Sequence, residues 1–265
     1  MALLEARQVI KHFGGVTALD DLDLDVQAGE ILGLIGPNGS GKTTFINVCT
    51  GVVAPDAGRV NFDGRPLQGM SPWQISRLGI SRIFQTNMLW PSLTAQENVM
   101  VSREKFLRAT LPEAITGSRR FRREEALVRT KALEVLERVG AAHLAHQRAG
   151  SLSYGQQKLV EVARALACEP RLLLLDEPAA GLRAELIEAM GELIRTIRDQ
   201  GIPLLIVEHR IKLVMGVCDR VAVLNLGQKI AEGPPARIQT DPAVIDAYLG
   251  EPIALPGEPE PGGGG

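Results

Sequence analysis

The strongest constraint in the sequence is the block Gly36-Pro37-Asn38-Gly39-Ser40-Gly41-Lys42-Thr43. It fits the pattern GxxxxGK(S/T) at every fixed position. It also has the right surroundings: an apolar strand, Ile31 to Ile35, precedes it, and a segment that reads as a helix begins at Gly41. Strand, glycine-rich bend and helix in that order make a cradle for phosphate. The glycines let the backbone curl so that successive N–H groups face one point, and the positive end of the following helix adds to the field there. Lys42 is expected to reach the β- and γ-phosphates of a nucleoside triphosphate, and the Thr43 hydroxyl to ligate Mg2+. The nucleotide-facing set is Gly36, Pro37, Asn38, Gly39, Ser40, Gly41, Lys42, Thr43 and Thr44. The block alone does not separate a kinase from a motor or a switch.

A second chemical feature lies far along the chain. Leu172 to Leu175 form a run of leucines that ends in Asp176-Glu177-Pro178. An unbroken apolar run of that length suits a strand buried on both faces of a parallel sheet. Two acids at its carboxyl end then stand on the sheet edge where ligands bind. Asp176 is expected to hold Mg2+, directly or through water. Glu177 is free to act as general base on an attacking water.

The remaining patterns alternate strand and helix, which indicates an α/β fold. The first sixty residues read as short strands, with Leu22, Leu24 and Val26 alternating with acids, a turn at 27–30, and a strand at 58–62 before Asp63-Gly64. The stretch 90–150 is more helical, with Val128, Ala132, Val135, Leu136 and Val139 at helical spacing and Gly140 as the stop. Helices follow over 156–167 and 183–200, a buried strand over 204–207, and a late hairpin turning at Gly227-Gln228. The basic run Arg119-Arg120-Phe121-Arg122-Arg123 has the chemistry to meet phospholipid head groups or nucleic acid. Its shortness and the acids after it make a solvated loop and helix start the expected reading.

Composition excludes several classes. Of 265 residues, 45% are apolar and 23% charged, which rules out wholesale disorder. Lys plus Arg number 29 against 31 Asp plus Glu, a balance that argues against a chain-wide nucleic-acid surface. Cys49, Cys168 and Cys218 are odd in number and lack any CxxC spacing, so neither a disulfide framework nor a zinc site is expected, and a reducing compartment fits. No signal peptide and no membrane-spanning run are expected. Residues 251–265, rich in proline and glycine, are expected to be a disordered tail.

Between the two phosphate-related motifs lies Leu152-Ser153-Tyr154-Gly155-Gln156-Gln157. Its position and wording resemble the L-S-G-G-Q signature of ATP-binding cassette (ABC) ATPases, and the resemblance covers about residues 4–249. It implies a P-loop NTPase core with a parallel sheet, an N-terminal antiparallel β subdomain and an inserted α-helical subdomain. The ATPase domain is then 1–250, with the insertion at about 88–160. Ser153, Gly155 and Gln156 are the implied signature contacts to nucleotide, although Tyr154 replaces the first signature glycine. Gln85 resembles the glutamine that touches Mg2+ and water near the transmembrane partner. His209 resembles the switch histidine that senses the γ-phosphate, and Phe13 the aromatic that stacks on adenine. Arg183 stands near the place where the family commonly carries an aspartate, reversing the charge.

The wording at 35–39, 152–157, 176–182 and 208–209 is similar to that of the larger ATP-binding subunit of importers for branched-chain amino acids and related amides. That resemblance implies ATP and Mg2+ as ligands and a second cassette, identical or different, joined head-to-tail. It also implies transmembrane permeases, a periplasmic solute-binding protein acting indirectly, and a place on the cytoplasmic face of the inner membrane; the groove near Gln85, with Met88, Leu89 and Trp90 following, is the candidate docking surface, with ordinary core as the alternative. No nucleic-acid partner is implied. A small-molecule kinase would not need the 152–157 segment. Soluble cassettes of DNA repair or translation usually carry a long coiled coil or two fused cassettes, and this chain has neither. Export of lipid or polysaccharide stays open.

Overall fold

The computed structural model describes residues 2–84 and 88–248. Gln85 and the 251–265 tail lie outside the described residues. Among the described residues the chain builds two sheets. The larger has six strands: β3 (Ile31–Ile35), β6 (Ile80–Ile83), β7 (Leu172–Asp176), β8 (Leu204–Val207), β9 (Arg220–Asn225) and β10 (Gln228–Gly233), in the order β10-β9-β3-β8-β7-β6. All neighbours pair in parallel except the β9–β10 hairpin at one edge. The smaller sheet is antiparallel, with β1 (Ala2–Phe13), β2 (Val16–Gln27), β4 (Ala57–Phe62) and β5 (Arg65–Pro66) in the order β2-β1-β4-β5.

The leucine run explains the layering. Leu172 and Leu174 belong to one core, with α1 (Lys42–Cys49) and the antiparallel sheet. Leu173 and Leu175 belong to the other, with the helices on the opposite side. Side chains alternate across a strand, so a strand sandwiched between two cores must be apolar at every position. Ile31 and Ile35 against Leu32 and Leu34 divide in the same way.

Helix α2 (Pro72–Leu78) leads into β6, and between β6 and β7 the chain is helical, with α3 (Ala95–Val101), α4 (Leu111–Ile115), α5 (Arg119–Arg138) and α6 (Tyr154–Leu166). The periodic residues of α5 are its buried ones: Val128, Ala132, Val135 and Leu136. Gly140 follows at φ 73, a left-handed stop. Then α7 (Ala184–Asp199) and α8 (Ile211–Val217) cover the second face. No helix among the described residues is long and apolar enough to cross a membrane.

Three sequence expectations are corrected. The opening strands are not short: β1 and β2 run twelve residues each, and Gln8 at φ 51 sits where the β1 register shifts, which breaks the alternation that would have marked β1. The late hairpin turns at Leu226-Gly227, one residue earlier than expected, with both residues at positive φ as a two-residue turn requires. Helix α6 starts at Tyr154 rather than Gln156, because Ser153 caps it.

Since Leu174 is fully buried between α1 and the sheet, Leu174→Ala should cost about 2–5 kcal/mol of stability. Urea unfolding checks this, and a loss under about 1 kcal/mol would contradict the two-core packing.

Candidate nucleotide site

Parallel register sets the site. Ile35 ends β3, Val207 ends β8 and lies opposite Asp176 at the end of β7, and Leu175 lies opposite Ile83 at the end of β6. The next residues along each strand are Gly36, Glu208-His209, Glu177 and Phe84. The phosphate-loop block, the carboxylate pair and His209 therefore emerge side by side on one carboxyl edge.

The loop itself is tightly held. A Cβ on Gly36, at φ 153, would stand 2.1 Å from the Leu224 carbonyl oxygen, so only glycine lets the bend lie against β9. The late hairpin supports the loop from outside: Gly227 donates its N–H to the Ser40 carbonyl (3.0 Å) and accepts from Asp20 N–H (3.0 Å). Helix α1 begins with Gly41 as its cap, and its first N–H groups have no acceptor within the helix. Lys42 is only 5% exposed. Its Nζ donates to the carbonyls of Gly36 (2.8 Å) and Pro37 (2.9 Å) and to Ser40 Oγ (3.3 Å). Burial pulls its pKa below the usual lysine range, while Glu177 and Asp176 oppose that shift. A buried ammonium resting on loop carbonyls, next to helix-start N–H groups, is a donor set suited to an oligophosphate. The exposed Thr43 hydroxyl and Asp176 are oxygen ligands of the kind Mg2+ takes.

Asp176 is 3% exposed and is not alone. Arg82 of β6 donates from Nη2 to its Oδ2 (2.7 Å) and from Nη1 to Asn47 Oδ1 on α1 (2.6 Å), and its guanidinium lies 4.6 Å from the centre of the Phe84 ring. Arg82 thus joins three elements of the site. Sequence reasoning passed it over.

Glu177 adopts φ 52, unusual for a residue with a side chain. Its N–H is fixed to the Val207 carbonyl (2.8 Å), and His209 Nε2 lies 3.0 Å from its Oε1. Behind them stands Glu208, 2% exposed. Its Oε1 accepts from Ala179 N–H (2.7 Å), and its Oε2 from the N–H groups of His209 (3.1 Å) and Arg210 (3.2 Å). Burial raises the Glu208 pKa, and those three donors oppose it. This strut ties the loop after β7 to the turn after β8, and so sets His209 against Glu177.

The signature segment is placed elsewhere in the fold. Ser153 caps α6 in a capping box: Gln156 N–H donates to Ser153 Oγ (3.4 Å) and Ser153 N–H to Gln156 Oε1 (2.9 Å). Gly155 meets Leu186 of α7, where a Cβ would come within 2.7 Å of its side chain. The Tyr154 ring packs over Gly181 in the loop that follows the carboxylate pair. That contact uses the departure from the signature glycine. None of these contacts involves the phosphate loop. Phe13 ends β1 and is 49% exposed, with Lys11 Nζ 5.4 Å from its ring centre. Met88 and Trp90 are half exposed, while Leu89 packs on the core.

Comparisons with known proteins give the family of this fold. Residues 19–180 match the family model described as "ABC transporter", and residues 228–254 match "Branched-chain amino acid ATP-binding cassette transporter". The chain belongs to the ATP-binding cassettes of the ABC transporter family. It is an ATPase of that family, and nucleotide is its ligand. A high-affinity branched-chain amino acid transport ATP-binding protein, BraF of Pseudomonas aeruginosa, is 38% identical over 94% of this cassette and 98% of its own length. LivG of Salmonella typhimurium is 39% identical over the same shares. Among solved structures, a nucleotide-free ATP-binding cassette from an ABC transporter superposes with a TM-score of 0.82 at 35% identity, covering 95% of this cassette and all of that chain. A dimeric post-hydrolysis cassette bound to ADP and Pi superposes at 0.74 with 27% identity, covering 88% and 98%.

Arg183 is the N-cap of α7 and makes no capping hydrogen bond. A cation there faces the positive end of the helix dipole, where a short acceptor side chain is preferred. Arg183→Asp should therefore stabilise the cassette by about 1 kcal/mol in thermal or urea unfolding. A loss of stability would show that Arg183 is held by something other than its helix.

Proposed function

We propose that the cassette hydrolyses ATP to energise uptake of branched-chain amino acids, or related amino acids and amides, across the inner membrane. The observation that carries the hydrolytic half is the Glu177–His209 contact, set by Glu208 on the same strand edge as Lys42. The solute class rests on the match at 228–254 and on the relatives' names.

The chemistry assigns each residue a part. Lys42 exchanges the carbonyls of Gly36 and Pro37 for phosphate oxygens. The N–H groups of 38–44 cradle the β- and γ-phosphates, and Phe13 offers a face to the base. Thr43 and Asp176, with Gln85, would hold Mg2+, which would neutralise phosphate charge when bound. Glu177 takes a proton from the attacking water, and His209, in contact with Oε1, keeps that carboxylate aimed and senses the γ-phosphate. Arg82 keeps Asp176 oriented between β6 and α1.

Ser153 and Gly155 act on ATP held by a second cassette, identical or different, so two nucleotides are sealed between two subunits. This reading is supported by the contacts of Ser153, Tyr154 and Gly155, which meet Gln156, Gly181 and Leu186 rather than the phosphate loop, and by the dimeric state of a related cassette. Permease subunits dock at Met88-Leu89-Trp90. Glu161 Oε1 accepts the Met88 N–H (2.9 Å), Arg164 donates to the Met88 carbonyl, and Trp90 lies 5.5 Å from the Arg164 guanidinium. Docking and signature segments are thus fastened to one helix, α6. The assembly sits at the cytoplasmic face of the membrane, and a periplasmic binding protein acts through the permeases.

Glu177→Gln should leave ATP affinity intact and lower kcat by roughly 10²–10⁴-fold. Lys42→Ala should instead weaken binding of a fluorescent ATP analogue. Normal turnover in the first variant, or normal affinity in the second, would overturn the assignments.

A further inference from the structure

Charge along the cassette is distributed unevenly. Residues 102–123 hold seven basic and two acidic side chains, in a chain where 29 basic face 31 acidic. Four of the seven, Arg119, Arg120, Arg122 and Arg123, crowd the first turns of α5, and all four are exposed. The helix dipole opposes cations at that end, so local helix stability does not account for them. Nor do ion pairs. Arg120 alone of the four reaches carboxylates, Glu124 at 3.2 Å and Glu113 at 3.7 Å. Arg122 donates Nε to the Gly117 carbonyl (2.8 Å). The side chains of Arg119 and Arg123 make no hydrogen bond or ion pair among the described residues.

The fold adds to this run. The N–H groups of Arg108 and Ala109 donate to Glu124 Oε2 (2.8 and 2.9 Å), and the Arg108 carbonyl accepts from Arg120 Nη2 (3.2 Å). The exposed Arg108 is thereby pinned beside the start of α5. Ile115, at the end of α4, is 78% exposed and stands two residues from Gly117. Leu127 is 59% exposed and lies one turn beyond Arg123 on the same helix face. Guanidinium groups around exposed aliphatic side chains match the chemistry of a phospholipid headgroup layer with the acyl boundary beneath it. A nucleic-acid surface would want aromatic stacking platforms among the cations, and none is exposed among these arginines except at the edge, where Phe106 packs on Arg103.

The position fits as well. Ser102, which precedes the patch, lines a cavity of about 230 Å3 together with Arg82, Phe84, Glu161 and Arg164. Glu161 and Arg164 are the residues that hold Met88. The stretch that leads into the patch therefore starts beside the face proposed above to meet the permease, and this part of the argument rests on that reading. We propose that this end of the helical insertion contacts the membrane: Arg108, Arg119, Arg122 and Arg123 take anionic phospholipid headgroups, and Ile115 enters the interface.

The test is flotation of the full chain with vesicles of phosphatidylcholine alone or with 30% phosphatidylglycerol, at low and high salt. Binding is expected only to the anionic vesicles and should be lost at high salt. Each arginine near such a surface contributes about fivefold. Arg108→Gln with Arg119→Gln and Arg123→Gln, whose side chains make no hydrogen bond or ion pair among the described residues, should weaken binding on the order of 100-fold. Ile115→Asp should weaken it further. ATP turnover should be unchanged in these variants, which separates failure of the patch from failure of the ATPase reading. Equal binding to both vesicles, indifference to the triple variant, or tighter salt-sensitive binding of an RNA oligonucleotide through the same arginines would overturn the proposal.

Discussion

Parallel hydrogen bonding among β3, β8, β7 and β6 is the constraint on which the rest of the molecule depends. It aligns four strand ends, so that residues more than a hundred positions apart in sequence, such as Lys42 and Glu177, come to share one edge. A one-residue slip of any of these strands would turn its apolar residues out of one core and into the other. The two-core arrangement resists that slip, because each strand feeds both cores in strict alternation. Chemistry at the edge is thus protected by packing beneath it.

Buried polar ties then refine what the register delivers. Arg82 links Asp176 to Asn47, and Glu208 links Ala179 to His209 and Arg210. Each is a charge taken out of water, and such a charge is tolerated only when its partners are in place. These residues act on the site by holding other residues still. Glu208 also accounts for how Glu177 persists at φ 52: the segments on either side of it are fastened to the neighbouring strand.

What the sequence made legible follows from locality. The phosphate loop is contiguous, and its glycines, lysine and flanking strand all lie within thirteen residues, 31–43. The carboxylate pair is announced by the leucines just before it, and the periodic residues of α5 are the ones buried. Arg82 was invisible by the same logic, since its partners lie 35 and 94 positions away and nothing adjacent distinguishes it. The length of β1 was hidden by its bulge. The support of the loop by Gly227 could not be read either, because it depends on a hairpin that returns from the far end of the chain. Gln85 and the tail lie outside the described residues.

The cassette by itself presents a phosphate cradle on one edge and a serine-capped helix whose contacts run elsewhere. On the function proposed above, each copy grips one nucleotide and closes over its neighbour's. The most direct measurement is a structure of the Glu177→Gln cassette with ATP and its partner cassette. Ser153 Oγ should lie within about 3 Å of the γ-phosphate of the nucleotide gripped by the partner cassette's phosphate loop. If Ser153 and Lys42 of a single chain met the same ATP, or Ser153 faced no nucleotide, the account would be contradicted.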